Sequence, residues 1–183
     1  MPFSNLSIQA HSFLTYRAEA VKNAEPDEIH TLSFRTSDLL LGVEPAAIFD
    51  SLTRWHALAT RWIYIFDTPA SPPERKAMVQ AFTKARDAKV PRFRYARLND
   101  ELGGSTVLYV GSSESLKSRI RNHLGYLVGP YSLNMAHWRG MPDVEIRLHA
   151  ARYAEMLSKE VLCDLEDTLS LSLSPIFGKR GSV

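Results

Sequence analysis

The alternation of apolar and polar positions predicts three strands in the last two thirds of the chain. Residues 61–67 form a β-branched and aromatic run that ends before Pro69, which is typical of a strand. Residues 106–110 form a second run of this kind after a glycine-rich turn. Residues 143–148 alternate polar and apolar side chains, as a half-buried strand does. The three segments together predict one small sheet.

Capping residues and helical spacing predict helices between and after these strands. A helix that begins with two prolines is predicted over residues 71–88. A second is predicted over residues 114–124, with serines able to cap its start and Gly125 at its end. A third is predicted over residues 153–171. The expected fold class is therefore α/β (α+β), a small mixed or antiparallel three-stranded sheet flanked by helices.

The chain is expected to divide into an N-terminal extension and a main domain. Residues 1–58 have mixed, mostly helical character, with helix-like spacing over 46–52, and we assign them no chemistry. The main domain is expected to span residues 59–183. A basic segment at about 69–103 reads as an insertion between its first two strands.

Composition excludes several classes of protein. Of the 183 residues, 45% are hydrophobic and 23% are charged, which is ordinary globular composition and argues against global disorder. The longest apolar stretches are far shorter than a membrane span, and the N-terminus lacks the pattern of a signal peptide. The single cysteine, Cys163, excludes an internal disulfide and a cysteine-rich zinc site. We therefore expect a cytoplasmic protein with no membrane partner.

The distribution of charge is more informative than the net charge of +2. Residues 84–97 carry six cations against the single anion Asp87, and further cations follow on the helix predicted over 114–124 and in the C-terminal tail. Such clusters can bind phosphate, although a charge run is more often a solvated surface. The candidate nucleic-acid contacts are Arg92, Arg94, Arg97, Lys117, Arg121, Lys179 and Arg180.

The segment from residue 108 to residue 123 carries the most distinctive chemistry. Tyr109 ends a predicted strand, and Gly111 permits a tight turn into the next helix. Arg119 and His123 are four positions apart and so share one helix face. Guanidinium groups bind phosphate, and imidazole can transfer protons near neutral pH. These residues alone leave open a plain surface helix with an ordinary cation and a capping histidine.

This segment resembles the second motif of the GIY-YIG nuclease superfamily. The matching positions are Tyr109, Val110, Gly111, Leu116, Arg119 and His123. Trp62-Ile63-Tyr64 resembles the first motif, with Trp62 in place of its glycine. Glu166 stands nine residues before Pro175, as the metal-binding glutamate of the family stands before its proline. The resemblance covers roughly residues 61–180.

The chain departs from the family pattern at three further places. Gly178 stands where the family has an asparagine that orders the site, and Lys179 is a candidate substitute donor. Tyr64 and Tyr109 are 45 residues apart, whereas the two motifs are usually close together. Ser112 stands where some branches have lysine.

The resemblance implies a metal-dependent endonuclease that hydrolyses DNA, of restriction or defence type, with Tyr64, Tyr109, Arg119, His123 and Glu166 as its active site. Glu166 would hold Mg²⁺ or Mn²⁺, and Arg119 would clamp the scissile phosphate. Tyr64 would orient or deprotonate the attacking water, with His123 as the candidate proton acceptor, and Tyr109 would hydrogen-bond the phosphate or the water. One active centre per chain favours a homodimer or sequential nicking.

Two other functions stay open at the level of the sequence. The loss of the family asparagine at position 178 fits a decayed nuclease scaffold that binds nucleic acid or forms complexes without cleaving. Residues 1–58 could instead dock a small structural subunit into a larger complex. Each site residue also has a plainer explanation, because tyrosines on strands are commonly core aromatics and Glu166 belongs to an acidic group that a solvated helix face would explain.

Overall fold

Four strands form one antiparallel sheet in the computed structural model, which describes residues 5–55, 60–90 and 92–178. The spatial order is β1-β4-β2-β3, and every neighbouring pair is antiparallel. The strands are β1 (Glu28–Arg35), β2 (Thr60–Asp67), β3 (Val107–Ser113) and β4 (Glu145–Ala154). The protein therefore has a mixed α/β fold, as the sequence predicts.

Helices flank this sheet on both faces. They are α1 (Leu6–Lys22), α2 (Ala46–Arg54), α3 (Pro72–Asp87), α4 (Leu116–Leu124) and α5 (Lys159–Leu173), with 3₁₀ turns at Thr36–Asp38 and Met135–His137. The capping box of Ser71 and Glu74 fixes the start of α3, and Gly125, at φ +94°, ends α4. Among the described residues, no helix is long and apolar enough to span a membrane.

The expectation of three strands was wrong, because β1 adds a fourth from within the predicted N-terminal extension. Strand β1 pairs with β4 along its whole length, from Glu28 opposite Arg152 to Arg35 opposite Glu145. Its alternation is weak because, of its residues, only Phe34 is fully buried, at 6% exposed. Residues 28–35 thus belong to the same sheet as the candidate site.

The last helix begins later than the sequence predicts. Residues 153 and 154 still belong to β4, and Tyr153 pairs with Arg61 on β2. The side chain of Ser158 then caps α5 by accepting a hydrogen bond from the backbone N–H of Val161.

The hydrophobic core lies mainly on one face of the sheet. There α2, α3 and α4 cover the strands, and the largest fully buried side chains include Phe66, Phe82 and Phe177. A smaller cluster around Ile63, Tyr153 and Leu162 joins α5 to the opposite face. The sheet is therefore covered on both faces where β2 and β3 lie side by side.

The segment between β2 and β3 is built into the core. Helix α3 buries Phe82, whose ring centroid lies 4.5 Å from that of Phe177. The buried guanidinium of Arg75 donates hydrogen bonds to the carbonyls of Gly103 (2.8 Å) and Ala70 (2.5 Å). These bonds hold both ends of the segment together and satisfy carbonyls that would otherwise be buried unpaired.

Candidate active site

The two tyrosines of the sequence motifs lie together on adjacent strands. Tyr64 on β2 stands directly opposite Gly111 on β3, and the rings of Tyr64 and Tyr109 are nearly parallel with centroids 6.2 Å apart. A Cβ atom at Gly111 would collide with the Tyr64 hydroxyl and lie 2.7 Å from Cε1 of Tyr109. Glycine is therefore required at position 111 because both phenols lie over it.

Arg119 on α4 joins the two phenols. Its Nε donates to the Tyr64 hydroxyl (3.1 Å), and its Nη2 donates to the Tyr109 hydroxyl (3.1 Å) and to the carbonyl of Tyr131 (2.9 Å). The third nitrogen, Nη1, is buried and has no hydrogen-bond partner within the described part of the chain. The guanidinium is thus fixed by three contacts while one donor stays available for an acceptor group.

His123 lies one turn further along α4 and is fully buried. The backbone N–H of Leu133 donates to its Nδ1 (3.3 Å), so the neutral ring carries its proton on Nε2. That proton is donated to the Tyr64 hydroxyl, 3.0 Å away. Burial and the nearby charge of Arg119 lower the pKa of His123 well below its ordinary value of 6.5. This tautomer differs from the expected proton acceptor, because His123 supplies a proton to the hydrogen bond with Tyr64.

Tyr64 is a neutral phenol beneath the surface of the site. Its side chain is 1% exposed, and burial together with the neighbouring Tyr109 raises its pKa well above its ordinary value, while Arg119 opposes the shift. Its oxygen accepts hydrogen bonds from both Arg119 and His123. These contacts fit an orienting role and disfavour removal of a proton from water at neutral pH.

Glu166 reaches the same region from α5 on the other side of β3. The hydroxyl of Ser112 donates to its carboxylate at 2.5 Å, and Ser112 lies at the end of β3 just before α4. From the sequence, Ser112 is only a departure from the family pattern. Its contact with Glu166 fixes the orientation of the carboxylate.

Three of the five predicted active-site residues line one cleft of about 510 Å³. Its lining includes Arg97, Tyr109, Arg119, Tyr131, Glu166 and Gly178. Tyr109, Arg119 and Glu166 therefore reach the cleft directly, whereas Tyr64 and His123 lie behind it. Two guanidinium groups and one carboxylate at a single opening suit an anionic group bound beside a cation.

The oxygen donors of the cleft fit a hard divalent cation. The described residues contain no group of three or more histidine, cysteine, aspartate or glutamate side chains able to hold a metal ion. Glu166, oriented by Ser112, provides one carboxylate at the opening of the cleft. Mg²⁺ suits such a site because it keeps several waters and binds through one or two carboxylates together with substrate phosphate.

Gly178 has a structural reason to differ from the family asparagine. Its φ of +110° lies in the region that favours glycine, and a Cβ atom there would lie 2.9 Å from Cε2 of Tyr109. Its N–H donates to the carbonyl of Arg97 (2.8 Å), which draws the loop of Arg97 to the cleft. Lys179, the candidate substitute donor, lies outside the described residues, whereas Arg97 is a cation that the structure does place at the opening.

Asparagine at position 178 is therefore expected to harm this protein. The substitution Gly178→Asn should lower the free energy of unfolding by about 1–3 kcal/mol and slow any activity, because it strains the backbone and displaces the ring of Tyr109. Gly140→Asn is the matched control, since Gly140 also has a positive φ (+75°) but open space around its Cα. Urea unfolding compares the two, and an equal loss of stability would show that the contact with Tyr109 is unimportant.

The other predicted nucleic-acid contacts have different outcomes. Lys117 donates to the hydroxyl of Thr53 (2.7 Å), and Arg121 forms an ion pair with Glu44, so both make contacts within the protein. Arg92 and Arg94 are exposed on the loop that leads to Arg97. Lys179 and Arg180 lie outside the described residues. Of the members of this set that the structure describes, Arg97 lines the cleft.

Sequence reasoning missed the part that the segment 126–142 plays. This loop supplies the Tyr131 carbonyl that accepts from Arg119 and the Leu133 N–H that sets the tautomer of His123. Both contacts use backbone atoms, which leave no mark on residue identity. No sequence signal could have identified them.

The buried neutral state of His123 predicts a loss of stability in acid. The pKa of His123 in the folded protein lies well below 6.5, its ordinary value. At a pH between the folded and the ordinary pKa, this histidine is protonated in the unfolded chain and neutral in the folded one. The free energy of unfolding should then fall with pH below about 6.5, by up to about 1.4 kcal/mol per pH unit from this group. Urea unfolding between about pH 7.5 and pH 5.5 measures it. His123→Gln should have a shallower dependence, and equal slopes would contradict the assignment.

Comparison with known proteins finds no relative of this chain. No family model matches the chain, and neither a curated protein nor a solved structure matches it significantly. The function is therefore inferred from the residues of the cleft and from their geometry.

Proposed function

We propose that this protein is a metal-dependent endonuclease of the GIY-YIG type that hydrolyses phosphodiester bonds in DNA. The observation that carries the proposal is the position of Arg119, which both motif tyrosines hold at a cleft that Glu166 also lines. Phosphodiester hydrolysis requires a group that binds the phosphate, such as a guanidinium, beside a carboxylate that can hold a metal ion.

Convergence from separated parts of the chain supports the proposal. Tyr64 and Tyr109 come from two strands, Arg119 and His123 from α4, and Glu166 from α5. Four of these residues are linked by direct hydrogen bonds, and Glu166 shares the cleft with Tyr109 and Arg119. A set of core aromatics and surface charges would have no reason to meet around one opening.

Arg119 would bind the scissile phosphate. Its Nη1 is buried without a partner among the described residues, so an incoming phosphate oxygen would satisfy it. The contacts with Tyr64, Tyr109 and Tyr131 hold the guanidinium before substrate arrives. Donors that need no rearrangement stabilise the charge that develops in the transition state.

The two tyrosines would have different roles, one in contact with substrate and one in positioning Arg119. The hydroxyl of Tyr109 lies at the cleft next to Arg119 and can hydrogen-bond the phosphate or the attacking water. Tyr64, which accepts from His123 and Arg119, is a positioning residue that sets the angle of the guanidinium. His123 keeps Tyr64 in place without changing charge at neutral pH.

Glu166 would hold the cation, with its orientation set by Ser112. When bound, Mg²⁺ or Mn²⁺ supplies Lewis-acid stabilisation of charge on the phosphate and on the leaving oxygen. The residues of the chain thus provide one carboxylate and leave room for water and substrate to complete the coordination.

The charges around the cleft favour a polyanionic substrate. Arg97 lines the opening, and Arg92 and Arg94 are exposed on the same loop. Affinity for DNA would then depend strongly on salt, because each phosphate contact releases counterions. One centre per chain favours a homodimer or sequential nicking, and a cytoplasmic restriction or defence role fits a nuclease of this type.

A substrate panel tests the proposal. Purified protein is incubated with supercoiled plasmid, linear duplex and single-stranded RNA in Mg²⁺, in Mn²⁺ and in EDTA. Nicked or linear plasmid in either metal, but not in EDTA, is the expected result. Cleavage confined to RNA would change the substrate class, and cleavage that persists in EDTA would contradict the metal-dependent mechanism.

A further inference from the structure

A second cavity, also about 510 Å³ in volume, shares Tyr95 with the candidate active-site cleft. The C-terminal end of α3 provides one wall through Ala85 and the C-cap residue Ala88, and the 3₁₀ turn at Met135–His137 provides another. The cavity plays no part in the mechanism proposed above. Its volume falls in the range of small-molecule sites.

The charged residues that line this cavity are cationic. Lys84 and Arg139 lie on its wall, and none of the described residues that line it carries a carboxylate. Within the described ranges, neither cation forms an ion pair with an acidic side chain. Apolar walls below unpaired cations suit a ligand that has an apolar planar part and a negative charge.

Tyr95 gives the cavity an unusual polar group. The residue is 9% exposed, and its hydroxyl is buried without a hydrogen-bond partner among the described residues. Its ring is fixed by an edge-to-face contact with Phe82, with centroids 5.7 Å apart. Buried hydroxyls are nearly always paired, so this one lacks a partner that a bound ligand or an ordered water would provide.

The ring of His137 is also held in place. Its Nε2 donates to the carbonyl of Gly125 (3.2 Å), and its centroid lies 4.2 Å from that of Phe93. Both contacts come from segments outside the 3₁₀ turn that carries the residue. The wall is therefore preorganised, which lowers the entropic cost of binding a ligand.

We propose that this cavity is a nucleotide subsite that receives one unstacked nucleotide of the substrate strand near the scissile phosphate. The inference rests on the proposed nuclease function, because Tyr95 forms a wall of both cavities and so makes them neighbours. Ala85, Ala88 and Val90 form the apolar wall that contacts the base, and Lys84 and Arg139 bind a phosphate of that strand. Unstacking a base is a common step for proteins that read or process single nucleotides.

Binding of a labelled single-stranded oligonucleotide in EDTA tests the subsite without requiring cleavage. The double variant Lys84→Ala/Arg139→Ala is expected to bind about tenfold more weakly or worse, whereas Lys76→Ala, an exposed lysine on the same helix, should bind like the wild type. Val90→Trp, which fills the cavity, should weaken binding without removing a charge. Thermal unfolding confirms that each variant is folded.

The outcomes separate this inference from the proposed function. Unchanged affinity in the double variant and in Val90→Trp would overturn the subsite even if the wild type cleaves DNA. Loss of affinity in these variants without cleavage by the wild type would support a nucleotide-binding cavity and would overturn the nuclease function instead. Competition by a nucleoside monophosphate but not by inorganic phosphate would show that the base is recognised, and equal competition by both would overturn the role assigned to the apolar wall.

Discussion

Replacing Arg119 with lysine is expected to slow DNA cleavage about 10²-fold to 10³-fold. The guanidinium contacts Tyr64, Tyr109 and the Tyr131 carbonyl at the same time and keeps Nη1 available. An ammonium group keeps the charge but cannot reproduce this planar set of donors. Cleavage rates at saturating DNA measure the effect.

Arg121→Lys is the matched control for this substitution. Arg121 lies on the same helix and pairs with Glu44 at the surface, away from the cleft. Its conversion to lysine should leave the cleavage rate nearly unchanged, because exposed ion pairs contribute little. Equal rates for the two variants would show that Arg119 has no special role, and thermal unfolding of both excludes misfolding as the cause.

The substitution Glu166→Gln is expected to remove metal-dependent cleavage. The amide keeps the size of the side chain and can still accept from Ser112, but it loses the charge that holds a divalent cation. Asp167→Asn removes the neighbouring acidic charge on α5 and should cleave like the wild type.

A titration of Mg²⁺ or Mn²⁺ separates binding from chemistry in the Glu166 variant. Cleavage that returns at high metal concentration would mean that Glu166 tunes the affinity for the cation. Loss at every concentration would mean that the carboxylate is indispensable. Wild-type rates in Glu166→Gln would contradict the assignment of Glu166 as the metal ligand.

Local chemistry could be predicted from the sequence because short-range geometry determines it. The four-residue spacing of Arg119 and His123 places both on one helix face, and that face does carry both side chains to Tyr64. The tight turn expected at Gly111 was wrong, because β3 continues through this residue to Ser113. Glycine is needed there because two phenol rings lie over it.

Strand β1 could not be predicted because its alternation of buried and exposed side chains is weak. Of its residues, only Phe34 is fully buried, and Ile29 is 70% exposed on the opposite face, so the period of two is faint. Its place in the sheet depends on pairing with β4, more than a hundred residues later in the chain. Pairing over such a distance is invisible to local pattern analysis.

Charge runs were a poor guide to which cations face the cleft. Lys117 and Arg121 lie on the same helix as Arg119, yet they bond to Thr53 and Glu44. Arg97 reaches the cleft because the N–H of Gly178 binds its carbonyl. The position of a cation thus depends on tertiary hydrogen bonds of this kind, which its neighbours in the sequence do not reveal.

Single-turnover cleavage of an end-labelled DNA duplex tests the central claim most directly. The protein is in excess over DNA, so that every duplex is bound, and parallel reactions contain Mg²⁺ or EDTA. The proposed nuclease predicts product in Mg²⁺ and none in EDTA. Bound DNA that stays intact in both Mg²⁺ and Mn²⁺ would contradict it and would indicate a nucleic-acid-binding protein built on a nuclease-like scaffold.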